Sequence, residues 1–376
     1  MEYKKLGDIA TYINGYAFKP EQRGSEGLPI IRIQDLTGNA YDLGYYNGDY
    51  PKKIELNDGD VLISWSASLG VYLWNRGKAL LNQHIFKVVF DKVEIDKFYF
   101  MYAVEYNLDK MSLKTHGATM KHITKKDFDN VVIPYPDLDY QKDISYRLTS
   151  LKRIIEKYQE QLDLLDELIK ARFVEMFGDP IENQKDWEVV KIRDIVTDVR
   201  YGTSKPAVEG GRYPYLRMNN LTVDGDLDLN DLKYIDIPDN EIEKCVVRKG
   251  DILFNRTNSI DLIGKTAVFN LLDDMVIAGY IIRIRLNNQI LPDVFSQYMN
   301  LEAMKKVLRG MAKGAVNQAN INAQELQSIK VYIPNMELQK QYVEFKEEID
   351  KSRSRIQKSL EASQELFDSL MQEYFG

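Results

Sequence analysis

Very little in this sequence could hold a metal or close a disulfide. Among 376 residues there is one cysteine, Cys245, and there are three histidines, His84, His116 and His122. A lone thiol excludes an internal disulfide and a cysteine-rich zinc site, and so few imidazoles leave metal catalysis poorly supplied with ligands. No run approaches the ~20 apolar residues that span a bilayer, and the first residues lead into no apolar stretch of signal-peptide length. The expectation is a cytoplasmic protein with no membrane attachment. A positive excess is missing too. The net charge is −7, with 17 basic and 19 acidic residues over 1–140 and 20 and 23 over 179–338. Binding to nucleic-acid phosphates therefore requires basic side chains gathered on one face, with acids elsewhere.

What the chain does have is a copy of itself. Its length exceeds twice a usual domain, so at least two cores are expected, and a repeat with a period near 190–200 residues supplies them. Lys5-Leu6-Gly7-Asp8-Ile9 matches Lys191-Ile192-Arg193-Asp194-Ile195. Pro29-Ile30-Ile31-Arg32-Ile33-Gln34-Asp35-Leu36 matches Pro214-Tyr215-Leu216-Arg217-Met218-Asn219-Asn220-Leu221. A Gly-Asp turn then feeds an apolar strand, Gly59-Asp60-Val61-Leu62-Ile63-Ser64 against Gly250-Asp251-Ile252-Leu253-Phe254-Asn255. His116-Gly117-Ala118 matches Lys313-Gly314-Ala315, and Ile133-Pro134 matches Ile333-Pro334. From Gln141-Lys142 and Gln339-Lys340 to Phe177-Gly178 and Phe375-Gly376 the offset stays at 198, whereas before that it drifts from 185 to 200. Constant length there, beside variable loops, marks length as the constrained quantity.

Residues 1–140 and 179–338 read as α+β domains with a curved, mostly antiparallel sheet. Runs such as Ile85-Phe86-Lys87-Val88-Val89-Phe90 and Tyr280-Ile281-Ile282-Arg283-Ile284 are bounded by Gly, Asn and Asp. A helix is expected in each, near Lys97–Lys110 and Val294–Leu308. Residues 141–178 and 339–376 read as long helices. In the first, Leu148, Leu151, Ile155, Tyr158, Leu162, Leu165 and Ile169 alternate spacings of three and four, a heptad seam. The second carries a weaker seam of Ile349, Ile356, Leu360, Phe367, Leu370 and Tyr374, with Arg353 and Ser363 at seam positions. A helix of this length spans about 55 Å, and pairing the two buries both stripes. Asp179-Pro180 stops the first helix. Because a whole domain separates the helices, either direction of pairing is possible. The antiparallel one is favoured, because duplicated halves with equal helices then make a self-complementary contact.

Segments resembling catalytic motifs fail on spacing. Gly264-Lys265-Thr266 resembles the end of a phosphate-binding loop, but Ser259 stands where glycine is required, and Leu69-Gly70 in the first copy lacks the Lys-Thr. The Asn/Asp-Pro-Pro-aromatic motif of an amino-methyltransferase is absent, as is a glycine-rich cofactor loop; Ile133-Pro134-Tyr135-Pro136 has its prolines at the wrong spacing. Asp239, Glu241, Glu243 and Lys244 have nuclease residue types without the order, and read as a solvated acidic turn.

A Gly-Asp-Ile-Leu-Phe-type strand, a Gly-Ala loop, an Ile-Pro and a Gln-Lys entering a long helix, all occurring twice, resembles the type I restriction-modification specificity subunit. The resemblance covers essentially the whole chain. It implies two target recognition domains, each reading half of a bipartite site in double-stranded DNA, separated by two long helices in an antiparallel coiled coil that sets the gap. It also implies two modification subunits docked on the coil, methylating adenine with S-adenosylmethionine, and ATP-driven restriction subunits in the same assembly. The chain itself would catalyse nothing and bind no cofactor; S-adenosylmethionine, ATP and Mg belong to the partners. Half-sites one turn of B-DNA apart, ~34–36 Å, would leave about six base pairs unread. Two other readings remain: a DNA methyltransferase or nuclease component with its own undetected active site, and a coiled-coil structural adaptor that never meets DNA.

Polar residues at matched places are the expected DNA contacts. In the first copy these are Arg32, Gln34, Ser64, Trp65, Ser66, Gln83, His84, His116, Gly117, Lys121 and His122. In the second they are Arg217, Asn219, Asn220, Asn255, Arg256, Asn258, Tyr280, Lys313, Gly314, Asn317, Gln318 and Asn320. Arg can bridge guanine O6 and N7, Asn and Gln can bridge adenine N6 and N7, and Lys mainly anchors phosphate. Arg32 and Arg217 lie in apolar strands, where pairing with Asp35 or another acid is the competing role. His84 and His116 change to Tyr280 and Lys313 between copies, so they form no shared catalytic centre.

Overall fold

The computed structural model describes residues 2–39, 42–114, 123–315 and 318–376. Two compact units are present, residues 1–158 with 358–376, and residues 159–357. Each contains one α+β domain and a segment of each of two long helices, Leu138–Phe177 and Met336–Phe375.

In the first domain one sheet runs in the order Thr11–Asn14, Ile85–Val89, Val61–Ser64, Gly70–Leu73, antiparallel throughout. A second runs Tyr45–Tyr46, Leu28–Ile31, Ala79–Leu81, Glu55–Leu56. Its central pair is parallel, Ile30 opposite Leu80 and Ile31 opposite Leu81. Tyr3–Lys5 pairs with Val132–Pro134 as a separate ribbon. The second domain repeats this topology strand for strand. One sheet is Val196–Tyr201, Ile281–Leu286, Ile252–Asn255, Thr266–Val268; the other is Lys233–Ile235, Tyr213–Leu216, Met275–Ile277, Val246–Val247. Its parallel pair sets Tyr215 opposite Val276 and Leu216 opposite Ile277. Where one curved sheet was expected, the described residues form three small ones in the first domain and four in the second, where Glu188–Lys191 pairs with Lys330–Ile333 and Thr257–Asn258, Gln318–Asn320 and Lys313–Ala315 make the fourth.

The apolar run after each Gly-Asp turn explains the layering. Successive side chains of a strand point to opposite faces. Val61 and Ile63 enter the core beneath the helices while Leu62 enters the core of the second sheet. Ile252 and Phe254 are divided from Leu253 in the same way. A strand buried on both faces has no polar face to alternate with. The short helix of the first domain, Lys97–Lys114, is continuous. Its counterpart is split into Pro292–Asn300 and Glu302–Met311, because Leu301 is extended at φ −63° and ψ 142°.

Both long helices are 40 residues and begin three residues ahead of the expected start, at the same offset. The matched glutamines are latches. Gln141 Nε2 donates to the Pro136 carbonyl and its Oε1 accepts from Asp96 N. Gln339 donates to the Pro334 and Gln289 carbonyls and accepts from Leu291 N. Each fastens the start of a long helix to the start of a short one. The first long helix ends where Gly178 adopts φ +86°, the left-handed closure that glycine tolerates. Asp179 Oδ1 then caps the amides of Ile181 and Glu182.

Every predicted seam residue of both helices is buried or half-buried, Arg353 and Ser363 included. In the first unit Ile144 and Leu148, near the start of one helix, share a core with Met371 and Phe375, at the end of the other. In the second unit Ile169, Phe173 and Phe177 share a core with Tyr342, and the Phe173 and Tyr342 rings lie 5.3 Å apart. Start meets end in each unit, so the pairing is antiparallel.

Candidate DNA interface

The parallel strand pair builds the site. Parallel strands end on the same edge, so the segments leaving them emerge side by side. In the first domain Leu28–Ile31 continues into Arg32 and a helical turn, Ile33–Leu36. Beside it Ala79–Leu81 continues into Asn82, Gln83 and His84, and Asn82 N donates to the Ile31 carbonyl at 3.1 Å. A third segment arrives from Val61–Ser64, where Trp65 N donates to the His84 carbonyl at 3.2 Å and the two rings lie 4.9 Å apart. A concavity of ≈ 410 Å³ results, with Arg32, Gln34, Gln83 and His84 in its wall. His84 sits at φ +71°, a left-handed position at the turn into the next strand.

The second domain makes the same construction. Tyr213–Leu216 leads into Arg217 and the turn Met218–Asn220. Ala278 N donates to the Leu216 carbonyl at 2.9 Å, and Arg256 N donates to the Tyr280 carbonyl at 2.9 Å. Arg217, Asn219, Arg256 and Tyr280 lie in the wall of a concavity of ≈ 470 Å³. The Arg256 guanidinium lies 4.9 Å from the centre of the Tyr201 ring, a cation-π contact, and Tyr280 is half exposed.

Within these frames the predicted contacts divide. Gln34, Gln83 and Asn219 are exposed; Trp65, Ser66, Arg256 and Asn258 are half-buried. Three expectations are corrected. Ser64 is fully buried and its hydroxyl donates to the Ser68 carbonyl. Asn220 is buried, accepting from Arg217 N and donating to the Asp228 carbonyl. Asn255 is fully buried and donates to the Thr257 and Tyr280 carbonyls while accepting from Asn258. Their polar atoms satisfy backbone groups in a dry interior, which is why they are polar at all. We expect Asn255→Ala to lower unfolding stability by about 1–3 kcal/mol, by stranding a buried carbonyl; urea denaturation measures it.

The two strand arginines take the competing role. Arg32 Nε lies 3.0 Å from Asp35 Oδ2, and its guanidinium also reaches Asp42. The Asp35 carboxylate holds the Arg32 pKa above its ordinary value. Arg217 Nη2 lies 2.6 Å from Asp231 Oδ2. Hydrogen bonds from Arg217 and Lys233 hold the Asp231 carboxyl below the usual range.

Lys313–Ala315 and Gln318–Asn320 form a hairpin whose second strand pairs with Thr257–Asn258. Gly314 is at φ +116°. Lys313 is bound to Glu325 at 2.5 Å, Asn320 Oδ1 accepts from the Thr257 hydroxyl, and Gln318 is exposed. His116, Gly117, Lys121, His122 and Asn317 lie outside the described residues.

Sequence reasoning missed a fourth wall. Arg23 and Lys205 line the two concavities, on segments that follow Thr11–Asn14 and Val196–Tyr201. A matched glycine was the available signal. A Cβ on Gly15 would come within 1.9 Å of the Asn82 carbonyl oxygen, and one on Gly202 within 2.2 Å of that of Ile277. Only glycine lets these segments lie against the parallel pair.

Among the described residues, the groups weighed for catalysis have other partners. Lys265 of the rejected phosphate loop is buried and donates to the Met218 carbonyl at 2.7 Å. Asp239, Glu241 and Glu243 are bridged to Arg212, Lys205 and Arg248. Among the described residues, no group of three His, Cys, Asp or Glu is placed to hold a metal, and no helix is long and apolar enough to cross a membrane.

Residues 1–165 and 184–364 each match the family described as the type I restriction modification DNA specificity domain. The chain is 23% identical to the EcoBI type I restriction enzyme specificity subunit of Escherichia coli, over 94% of this chain and 80% of that one. It is 22% identical to the EcoKI specificity subunit of Escherichia coli K12, over 94% and 83%. Its fold is similar to a type I restriction-modification S subunit from M. genitalium, with a TM-score of 0.58 at 14% identity over 100% and 96% of the two chains. The chain belongs to the type I restriction-modification DNA specificity family, as a two-domain, non-catalytic recognition subunit.

Proposed function

We propose that each concavity reads one half of a split sequence in double-stranded DNA. One observation carries this reading. The frame is the same in both domains, yet its accessible side chains differ, Gln34, Gln83 and His84 in one and Asn219, Arg256 and Tyr280 in the other. A shared frame with exchanged hydrogen-bonding groups suits two half-sites of different sequence. In this reading Gln34, Gln83 and Asn219 meet base edges, Arg256 meets phosphate or guanine, and Arg23 and Lys205 meet phosphate. The chain works in the cytoplasm with two modification subunits, which supply S-adenosylmethionine-dependent adenine methylation, and with ATP- and Mg-dependent restriction subunits. It holds none of these cofactors itself.

The test is binding and methyl transfer with the full chain. A fluorescent duplex carrying the bipartite sequence, identified by methylation mapping, is expected to bind with an affinity that falls as salt rises, since phosphate contacts release counterions. Labelled S-adenosylmethionine should transfer no methyl group to DNA until modification subunits are added. Transfer by the chain alone would make it an enzyme, and absence of DNA binding even at low salt would make it an adaptor.

A further inference from the structure

Besides the apolar core it shares with the helix pair, the second domain is fastened to the two long helices by charge through one loop. The loop between Leu221 and Asp231 leaves the Met218–Asn220 turn directly. It is closed on itself, with Asp226 N donating to the Thr222 hydroxyl at 2.9 Å and Thr222 N to the Asp226 carbonyl at 3.0 Å. It is also bonded back to the turn, with Asp228 N donating to the Asn220 carbonyl and Asn220 Nδ2 to the Asp228 carbonyl, both at 2.8 Å. At its far end Asp226 Oδ2 accepts from Arg353 Nη1 at 2.7 Å, and Asp224 Oδ1 from Lys170 at 2.7 Å. Arg353 occupies a seam position of the second long helix, and its other terminal nitrogen is bridged to Asp166 on the first. Within one unit, a single guanidinium thus joins both helices to the loop bonded to the turn that carries Asn219.

Nothing about coiled-coil packing demands this arginine. The repeat offset places Ile155 at the matching position of the first helix, and Gln364 matches Asp166. A charged seam residue gives up apolar burial and can instead specify an arrangement. Here the arrangement is that of the reading turn, since hydrogen bonds run from Arg353 to Asp226, from Asp226 to Thr222, and from Asp228 to Asn220 beside Asn219.

We propose that Arg353 is a positioning residue for the second half-site: through Asp226 it holds the 221–231 loop against the helix pair and so sets the turn that presents Asn219. The inference rests on the reading that the second domain recognises one half of a split site. Arg353→Leu adds apolar surface to the seam but leaves Asp166 and Asp226 without their cation, so the unfolding midpoint is expected to fall. Affinity is measured for the full chain on three duplexes: the complete site, one with the first half scrambled and one with the second half scrambled. For Arg353→Leu, the ratio of complete to second-half-scrambled binding should fall at least about tenfold, while the first-half ratio stays within about twofold, one broken polar contact being of this order. Asp226→Asn, which leaves the seam intact, should act in the same direction, and Arg353→Lys, which can still reach Asp226, should restore part of the loss. An unchanged second-half ratio in both Arg353→Leu and Asp226→Asn overturns the inference. So does an equal fall at both halves, which would mark a structural role only. A wild-type chain that discriminates at neither half overturns the recognition reading itself, and this inference with it.

Discussion

A chain with seven residues added to each long helix, after Tyr158 and after Gln357, is expected to bind a site whose unread gap is longer by about three base pairs. These points divide the two compact units, and a whole heptad keeps the seam facing its partner. Seven residues add about 10 Å of helix, and base pairs are stacked at about 3.4 Å. On the original site only one domain can then engage, so the gain from two linked contacts is lost and affinity should fall about a hundredfold or more. Because three base pairs also turn the duplex by nearly a third of a revolution, the lengthened site should recover part of that loss rather than all of it. Adding the heptad to one helix alone should instead lower the unfolding midpoint and shift no preference. Selection from duplexes with randomised gaps measures all three; an unchanged preferred gap in the double insertion would mean that the helices are not the spacer.

The second large effect concerns which side chains carry sequence information. Gln34→Ala and Asn219→Ala should each cost about 1–3 kcal/mol, roughly 5- to 150-fold, in discrimination at a base of their own half-site and leave the other half unaffected. Arg256→Ala, if its guanidinium meets phosphate, should weaken all sequences alike and lower the salt slope by about one. Ser64→Ala should change neither, because its hydroxyl is bonded to the Ser68 carbonyl in the interior. Binding across a panel of single-base variants at two salt concentrations separates these classes. An Asn219→Ala chain with wild-type discrimination everywhere would remove that concavity from the recognition surface.

These outcomes depend on distinctions that the sequence expressed unequally. The helices were legible because a seam has a period of three and four and each position answers to one partner; the burial of Leu148, Leu162 and Ile169 follows it. Matched Gln141 and Gln339 were visible as a motif, but their role as latches was not, since Asp96 and Leu291 are distant in sequence. Ser64, Asn220 and Asn255 were misread for a chemical reason. A side chain that caps a buried carbonyl or amide and one that meets a base edge belong to the same residue types.

Duplication, helix length, heptad register and the absence of catalytic motifs were all written in the order of residues, because each is a local pattern or a comparison of two local patterns. Which polar side chains face outward was decided only by tertiary structure. The deciding event is a parallel pairing of strands 50 residues apart in one domain and 61 in the other, Ile31 beside Leu81 and Leu216 beside Ile277, which sets two turns edge to edge and buries the residues beneath them. Such pairings depend on the summed burial of two layers of core rather than on any short motif, so the concavities exist only once the chain has folded.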